Sequence, residues 1–329
     1  MGPLYVLGAR QRKSILKTDE EFRAYEAALI LRVDPTSGTA NCCVEYKSPP
    51  EVRASEQASN GFKCASLVGN KLYTCTSTEV LVFTVPDFER TAYLSLPYFN
   101  DLHHVAPTND NHLLVVSTGL DLVAKITPSG ETMAIWNTLG EDPWARFSRD
   151  LDYRKVESTK PHKSHPNFVF QLGREIWVTR FAQRDAVCLT TPGKRIDINV
   201  EKPHDGLLFN NHLYFTTVDG HVVIADPHTL RVEQTFDLNQ IDGAKDKSLG
   251  WCRGLLPLDD RRIWAGFTRV RKTKFTENLL WIKHGFRQNE TPTHISLYDL
   301  VRGQCLREIN LEPHGMNVVF GIHSAAQPR

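Results

Sequence analysis

Four histidines stand at matched places in a repeating pattern. His104 and His204 each lie nine residues before an apolar anchor, Leu113 and Leu213, and His165 lies eleven before Ile176. His314 opens a final apolar stretch ending at Val318-Val319-Phe320. Imidazoles turned toward one axis suit a divalent transition metal, here Zn, Fe or Mn. Such an ion acts as a Lewis acid or activates a bound water. The chemistry expected is of lyase or hydrolase type on a small polar or anionic substrate, with a four-His iron oxygenase as a narrower version. His103 adjoins His104, and alternation along a strand sends neighbours to opposite sides. A register shift of one residue would put His103 in the ring instead.

Other residue types extend this reading. Asp205 follows His204, and Arg253 lies in Gly250-Trp251-Cys252-Arg253-Gly254 where a histidine would otherwise recur. An arginine there can hold a carboxylate or phosphate through its planar fork. Arg269 begins the basic run Arg269-Val270-Arg271-Lys272-Thr273-Lys274. Asp205, Arg253 and Arg269 are the candidate accessory catalytic groups, and Trp144, Arg149, Trp251 and Trp281 the candidate pocket walls. Each has a structural counterpart: a histidine capping a strand, an inter-blade salt bridge for Arg253, a buried small hydrophobe for Cys252. No nucleophile elbow, Walker loop, dinucleotide fingerprint, zincin helix or kinase signature occurs.

The elements that must position these residues are short strands. Leu113-Leu114-Val115-Val116, Ile176-Trp177-Val178-Thr179, Leu213-Tyr214-Phe215-Thr216 and Ile263-Trp264-Ala265-Gly266 follow the polar openers, with a fainter copy from Lys63-Cys64 to Leu72-Tyr73-Thr74-Cys75. The anchors Leu72, Leu113, Ile176, Leu213 and Ile263 are spaced by 41, 63, 37 and 50 residues. The 63-residue gap holds an insertion, 139–164, and a second insertion, 271–293, lies inside the fifth copy, between Ile263-Trp264-Ala265 and His294-Ile295-Ser296. Third and fourth strands recur after each anchor, closed by turns such as Pro128-Ser129-Gly130 and Asp226-Pro227-His228. Four strands per repeat of about 40 residues is the unit of a β-propeller. Five copies lie between Phe62 and Glu308, and the two termini together make a sixth. The chain therefore reads as all-β: one six-bladed β-propeller over 1–329, closed by N- and C-terminal strands. A seventh blade hidden in 139–164 is the alternative. The best helical signal is Glu20 to Ala28.

Composition narrows the partners. The 329 residues carry a net charge of +1, so no overall field draws nucleic acid or an acidic membrane. No apolar stretch approaches the roughly 18 residues of a membrane span. The N-terminal apolar run is too short for a signal peptide. Seven cysteines, an odd count without a CxxC pair, point to a reducing compartment. The expectation is a cytoplasmic protein with a small-molecule substrate and no nucleic-acid or membrane partner, its oligomeric state open.

The segments Asp101-Leu102-His103-His104, Pro203-His204-Asp205-Gly206 and Gly250-Trp251-Cys252-Arg253-Gly254-Leu255 followed by Gly266-Phe267-Thr268-Arg269 resemble uncharacterised bacterial propeller proteins of the DUF4915 type. That resemblance covers residues 100–300 and implies a fold, not an activity. A histidine ring is also similar to other propeller metalloenzymes, the lyase domain of peptide-amidating enzymes and the carotenoid oxygenases, by analogy alone. A non-catalytic module gripping a peptide or protein at the channel mouth is the rival function.

Overall fold

A computed structural model describes residues 1–13, 21–241, 248–270 and 291–325. The chain forms six four-stranded antiparallel sheets arranged as a six-bladed β-propeller. Blade 1 holds β1 (Leu4–Gln11), β2 (Tyr25–Val33) and β3 (Ala40–Tyr46). Blade 2 is β4 (Ser66–Val68), β5 (Lys71–Cys75), β6 (Val80–Thr84) and β7 (Arg90–Leu94). Blade 3 is β8 (Leu102–Pro107), β9 (Leu113–Ser117), β10 (Leu122–Ile126) and β11 (Thr132–Asn137). Blade 4 is β12 (Pro166–Leu172), β13 (Glu175–Arg180), β14 (Asp185–Cys188) and β15 (Arg195–Asp197). Blade 5 is β16 (Leu207–Phe209), β17 (His212–Thr216), β18 (His221–Ala225) and β19 (Val232–Asp237). Blade 6 is β20 (Trp251–Pro257), β21 (Arg262–Thr268), β22 (His294–Asp299) and β23 (Gln304–Asn310). The last strand, β24 (Val318–Ser324), returns to blade 1 and pairs with β1 as its innermost strand. Closure by both termini is as expected, and no seventh sheet forms among the described residues.

Apolar side chains on successive strand residues explain the ring. Leu113 and Val115 of β9 pack against Cys75 and Val80 of blade 2, while Leu114 and Val116 pack against Val169 and Val178 of blade 4. Tyr5 and Leu7 of β1 face blade 2, and Leu4 and Val6 face blade 6. Each sheet is thus buried on both faces, which is why its strands read as continuous apolar runs rather than alternating ones. The helical signal at Glu20–Ala28 is overridden. Residues 21–23 make one 3-10 turn, and Tyr25 onward forms β2, held between β1 and β3.

A recurring irregularity shapes the channel mouth. In blade 3, Leu102 pairs with Ser117 and His104 with Val116, so His103 is an extra residue. In blade 4, Pro166 pairs with Arg180 and Val169 with Val178. In blade 6, Cys252 pairs with Phe267 and Leu255 with Ala265. In blade 1, Gly321 pairs with Leu7 and Val319 with Gly8, leaving Phe320 over. Blade 2 shows the same offset, since the Lys63 N–H donates to Cys75 O while Ser66 pairs with Tyr73. In blade 5, Pro203 bridges Thr217 while Leu207 pairs with Tyr214. Each inner strand therefore bulges by one residue near its start. A bulge breaks the two-residue alternation and re-aims a side chain.

Candidate functional site

The bulged segments bring Lys63, Asp101, His103, His165, Arg253 and Phe320 to the wall of one cavity at the channel mouth. The Phe320 ring carries two cations, with Lys63 Nζ 4.7 Å and the Arg253 guanidinium carbon 4.9 Å from its centroid. Trp251, one of the expected wall residues, lies under the same guanidinium at 5.6 Å. Asp101 Oδ1 is 3.5 Å from Lys63 Nζ and 3.4 Å from His103 Nε2. Burial pushes the Asp101 carboxyl up, but Lys63 and His103 outweigh it and hold it well below the usual carboxylate range. Of the charges further out, Glu157 is paired with Arg23 and Arg154 with Asp152.

His103 has a defined tautomer. Asn167 Nδ2 donates to the Pro203 carbonyl at 2.8 Å, which turns Asn167 Oδ1 toward His103 Nδ1 at 2.7 Å. That nitrogen must carry hydrogen, so Nε2 is left to hold or release a proton beside Asp101. Burial lowers the His103 pKa against the pull of Asp101. The ring of His165 stands 5.0 Å from that of His103. His165 Nδ1 lies 3.0 Å from His162 Nδ1, so one hydrogen is shared between them.

His165 adopts a left-handed backbone, φ 52°, a conformation that needs support from its surroundings. Asp121 supplies it. Oδ1 accepts from the Ser164 and His165 N–H groups and Oδ2 from Lys163 N–H, each at 2.9 Å. Arg146 anchors Oδ2 at 2.7 Å. Asp101 is also left-handed, φ 46°.

The structure does not bring the four expected metal histidines together. His104, in regular pairing below the bulge, points between blades. Its Nε2 meets Ser66 Oγ at 3.1 Å, its Nδ1 accepts from Val169 N–H at 3.2 Å, and its ring stacks on Phe168 at 3.6 Å. His103 takes the mouth position. His314 sits in a one-turn 3-10 helix packed against β3, on the outer side of blade 1. His165 lines the mouth. His204 is buried beside it, its ring 6.1 Å from those of His103 and Phe320.

The other expected residues divide similarly. Asp205 is buried, its Oδ2 accepting from Thr216 Oγ1 and, at 3.0 Å, from Gly254 N–H. Arg253 is at the mouth. Arg269 is instead a strut, bidentate to Glu312 at 2.6 and 2.8 Å, because that carboxylate lies on the turn entering β24. Segment 139–164 reaches the mouth through Val156–His162. Trp144 and Arg149 do not: Trp144 packs with Leu120, Leu122 and Tyr153 in a small apolar cluster, and Arg149 lies over its ring at 5.7 Å. Trp281 and nearly all of insertion 271–293 lie outside the described residues. Sequence reading did not select Lys63, Cys64, Asp101, His162, Asn167 or the Asp121 clamp. Lys63 and Cys64 held the repeat's opening position, but neither is histidine. His162 belongs to an insertion without a repeat to mark it.

Three possible metal-ligand atoms do converge, from Cys64, His204 and Asp205, all within 4.8 Å of one another. None of the seven cysteines is in a disulfide. No described helix is long and apolar enough to cross a membrane.

The architecture is that of a six-bladed propeller with a cationic, histidine-lined mouth. No family model and no curated protein sequence matches the chain. It is similar to a solved protein of unknown function from Bacteroides caccae, at 12% identity and TM-score 0.60, covering 98% of each chain. It is also similar to a chain of a nidogen/laminin complex, at 9% identity and TM-score 0.58, covering 99% of this chain and 100% of that one. Likeness to a bacterial propeller of unknown function thus holds at the level of fold, while the particular family expected from sequence is not matched.

Proposed function

We propose that the protein is an enzyme of lyase or hydrolase type acting on a small anionic substrate at the channel mouth. One observation carries this reading: two cations, Lys63 and Arg253, share the Phe320 ring beside an Asp101–His103 pair whose tautomer is fixed. The cations would hold a carboxylate or phosphate, Arg253 through two parallel hydrogen bonds. His103 Nε2 would then exchange a proton with the substrate, Asp101 keeping the imidazole oriented and stabilising its charged form. The shared proton of His162 and His165 offers a second donor across the cavity.

The competing reading is a binding module that holds an anionic group without turning it over. The same fold in a chain of a nidogen/laminin complex supports it. Calorimetric titration with malonate and with inorganic phosphate tests the shared core of both readings. Arg253→Lys keeps the charge and loses the planar fork. It should weaken binding of the preferred anion by about 1.5–3 kcal/mol, the worth of a charge-assisted hydrogen bond. A large drop in Tm with unchanged affinity would make Arg253 an inter-blade strut and remove the proposal's main support.

A further inference from the structure

The geometry points to a divalent transition-metal centre held by Cys64, His204 and Asp205. It deepens the enzyme reading above, since the ion would stand next to the proposed anion site. Its test is independent of that reading.

Placement is the first argument. Cys64 lies just before Ala65 and the inner strand of blade 2, and His204 and Asp205 precede that of blade 5. The ring order places blades 2 and 5 opposite each other, so these side chains meet across the channel. All three residues are buried, at 2%, 1% and 2% exposure. A thiol, an imidazole and a carboxylate from opposite blades therefore share one buried volume. Ordinary core packing would fill that volume with apolar side chains.

Hydrogen bonding is the second. His204 Nδ1 lies 3.8 Å from both Cys64 Sγ and Asp205 Oδ1. The first is a weak sulfur contact, and the second is too long for a hydrogen bond. His204 Nε2 has no hydrogen-bond partner among the described residues. A fully buried imidazole without a good bond on either nitrogen is costly, and a cation between the three groups would remove the part of that cost that falls on Nδ1. Asp205 is already aimed for the task. Thr216 Oγ1 and Gly254 N–H occupy its Oδ2 and turn Oδ1 toward His204. Outer-shell bonds of this kind orient metal carboxylates.

Distance is the third. Metal–sulfur bonds of about 2.3 Å and metal–nitrogen or metal–oxygen bonds of about 2.0–2.2 Å give tetrahedral edges of roughly 3.4–3.6 Å. The two 3.8 Å contacts need to close by only a few tenths of an ångström. Cys64 now donates its thiol proton to the Phe320 carbonyl at 3.2 Å. On binding, that proton leaves to solvent and the sulfur takes the ion as thiolate. Three protein ligands leave a fourth position for water or substrate, as in catalytic rather than structural sites. The mixed thiolate, imidazole and carboxylate set suits Zn(II), Fe(II) or Co(II) better than Mg(II) or Ca(II).

The test uses the whole chain purified without an affinity tag, stripped with chelator and titrated with Co(II). The expected result is a thiolate-to-cobalt charge-transfer band that saturates at one ion per chain and is displaced by Zn(II). His204→Ala should lower Co(II) affinity by at least the roughly 10–100-fold that loss of even an outer-shell partner costs. Cys64→Ala should abolish the band. Should Cys64→Ala not fold, the wild-type titration and His204→Ala still decide the matter. Folded wild-type protein that develops no band, or a folded His204→Ala variant that binds Co(II) as tightly as wild type, would overturn the proposal. Anion binding measured on the metal-free protein separates this outcome from failure of the mouth site.

Discussion

Asn167 fixes what His103 can do. One amide satisfies a backbone carbonyl and, through its other end, puts the hydrogen of His103 on Nδ1. Nε2 is thereby committed to Asp101 and the cavity. The arrangement makes Asn167 a positioning residue. Asn167→Leu should cost roughly 2–6 kcal/mol of stability, because two buried polar partners lose bonds worth about 1–3 kcal/mol each. Combined with His103→Phe, the loss should be clearly less than the sum, with a coupling above about 0.5 kcal/mol in denaturant unfolding. Strict additivity would show that the two side chains are energetically independent. In the sequence Asn167 stands two residues after His165, in the stretch before the anchor Ile176. Nothing in its type distinguished it from a turn asparagine, since its role comes from contacts with two other blades.

At the scale of the element, the inner-strand bulge decides which residue reaches the mouth. Strand alternation alone favours His104, and the repeat spacing that exposed the blades also selected it. The bulge at His103 inverts that parity. Bulges leave no signature in a single strand's hydrophobic pattern, so the blade count was legible while the register at the mouth was not. His314 was misplaced for a related reason: the strand it seemed to open starts only at Val318. Repeat logic did locate His165, His204, Asp205 and Arg253 near the axis, because inner strands begin at equivalent points. It could not find Asp101, Asp121 or His162, which depend on loop conformation. His104, released from chemistry, becomes a strut between blades 2, 3 and 4. Burial pushes its pKa down to about 3, far below the value near 6.5 of an unfolded histidine. The unfolded chain therefore binds more protons between these limits. His104 contributes stability that is present above about pH 6.5 and lost as the pH falls toward 3, at up to about 1.4 kcal/mol per pH unit. His104→Gln should be less stable than wild type at pH 7.5 yet lose less on acidification to pH 5. Equal losses in urea unfolding at the two pH values would show that His104 does not titrate against the fold.

For the whole molecule, the ring depends on β24 fitting against β1. β1 was invisible as a strand in the sequence, where its apolar residues looked only like a short N-terminal run. Its place became clear once both faces were covered, by blade 2 on one side and blade 6 on the other. Gly8 lies opposite the Phe320 bulge, and a Cβ there would overlap the Val318 carbonyl. Gly8→Val should therefore lower stability by about 1–3 kcal/mol or more and displace Phe320 from the mouth. An unchanged Tm would mean that closure tolerates a different register. Because Phe320 carries both cations, closing the ring also builds the proposed anion site. The most direct measurement of that account is a crystal structure of the protein soaked with malonate. The predicted result is a malonate carboxylate between Lys63 Nζ and the Arg253 guanidinium, with His103 Nε2 beside the ligand. Malonate bound elsewhere, or a mouth in which Lys63 and Arg253 turn away from a bound anion, would contradict it.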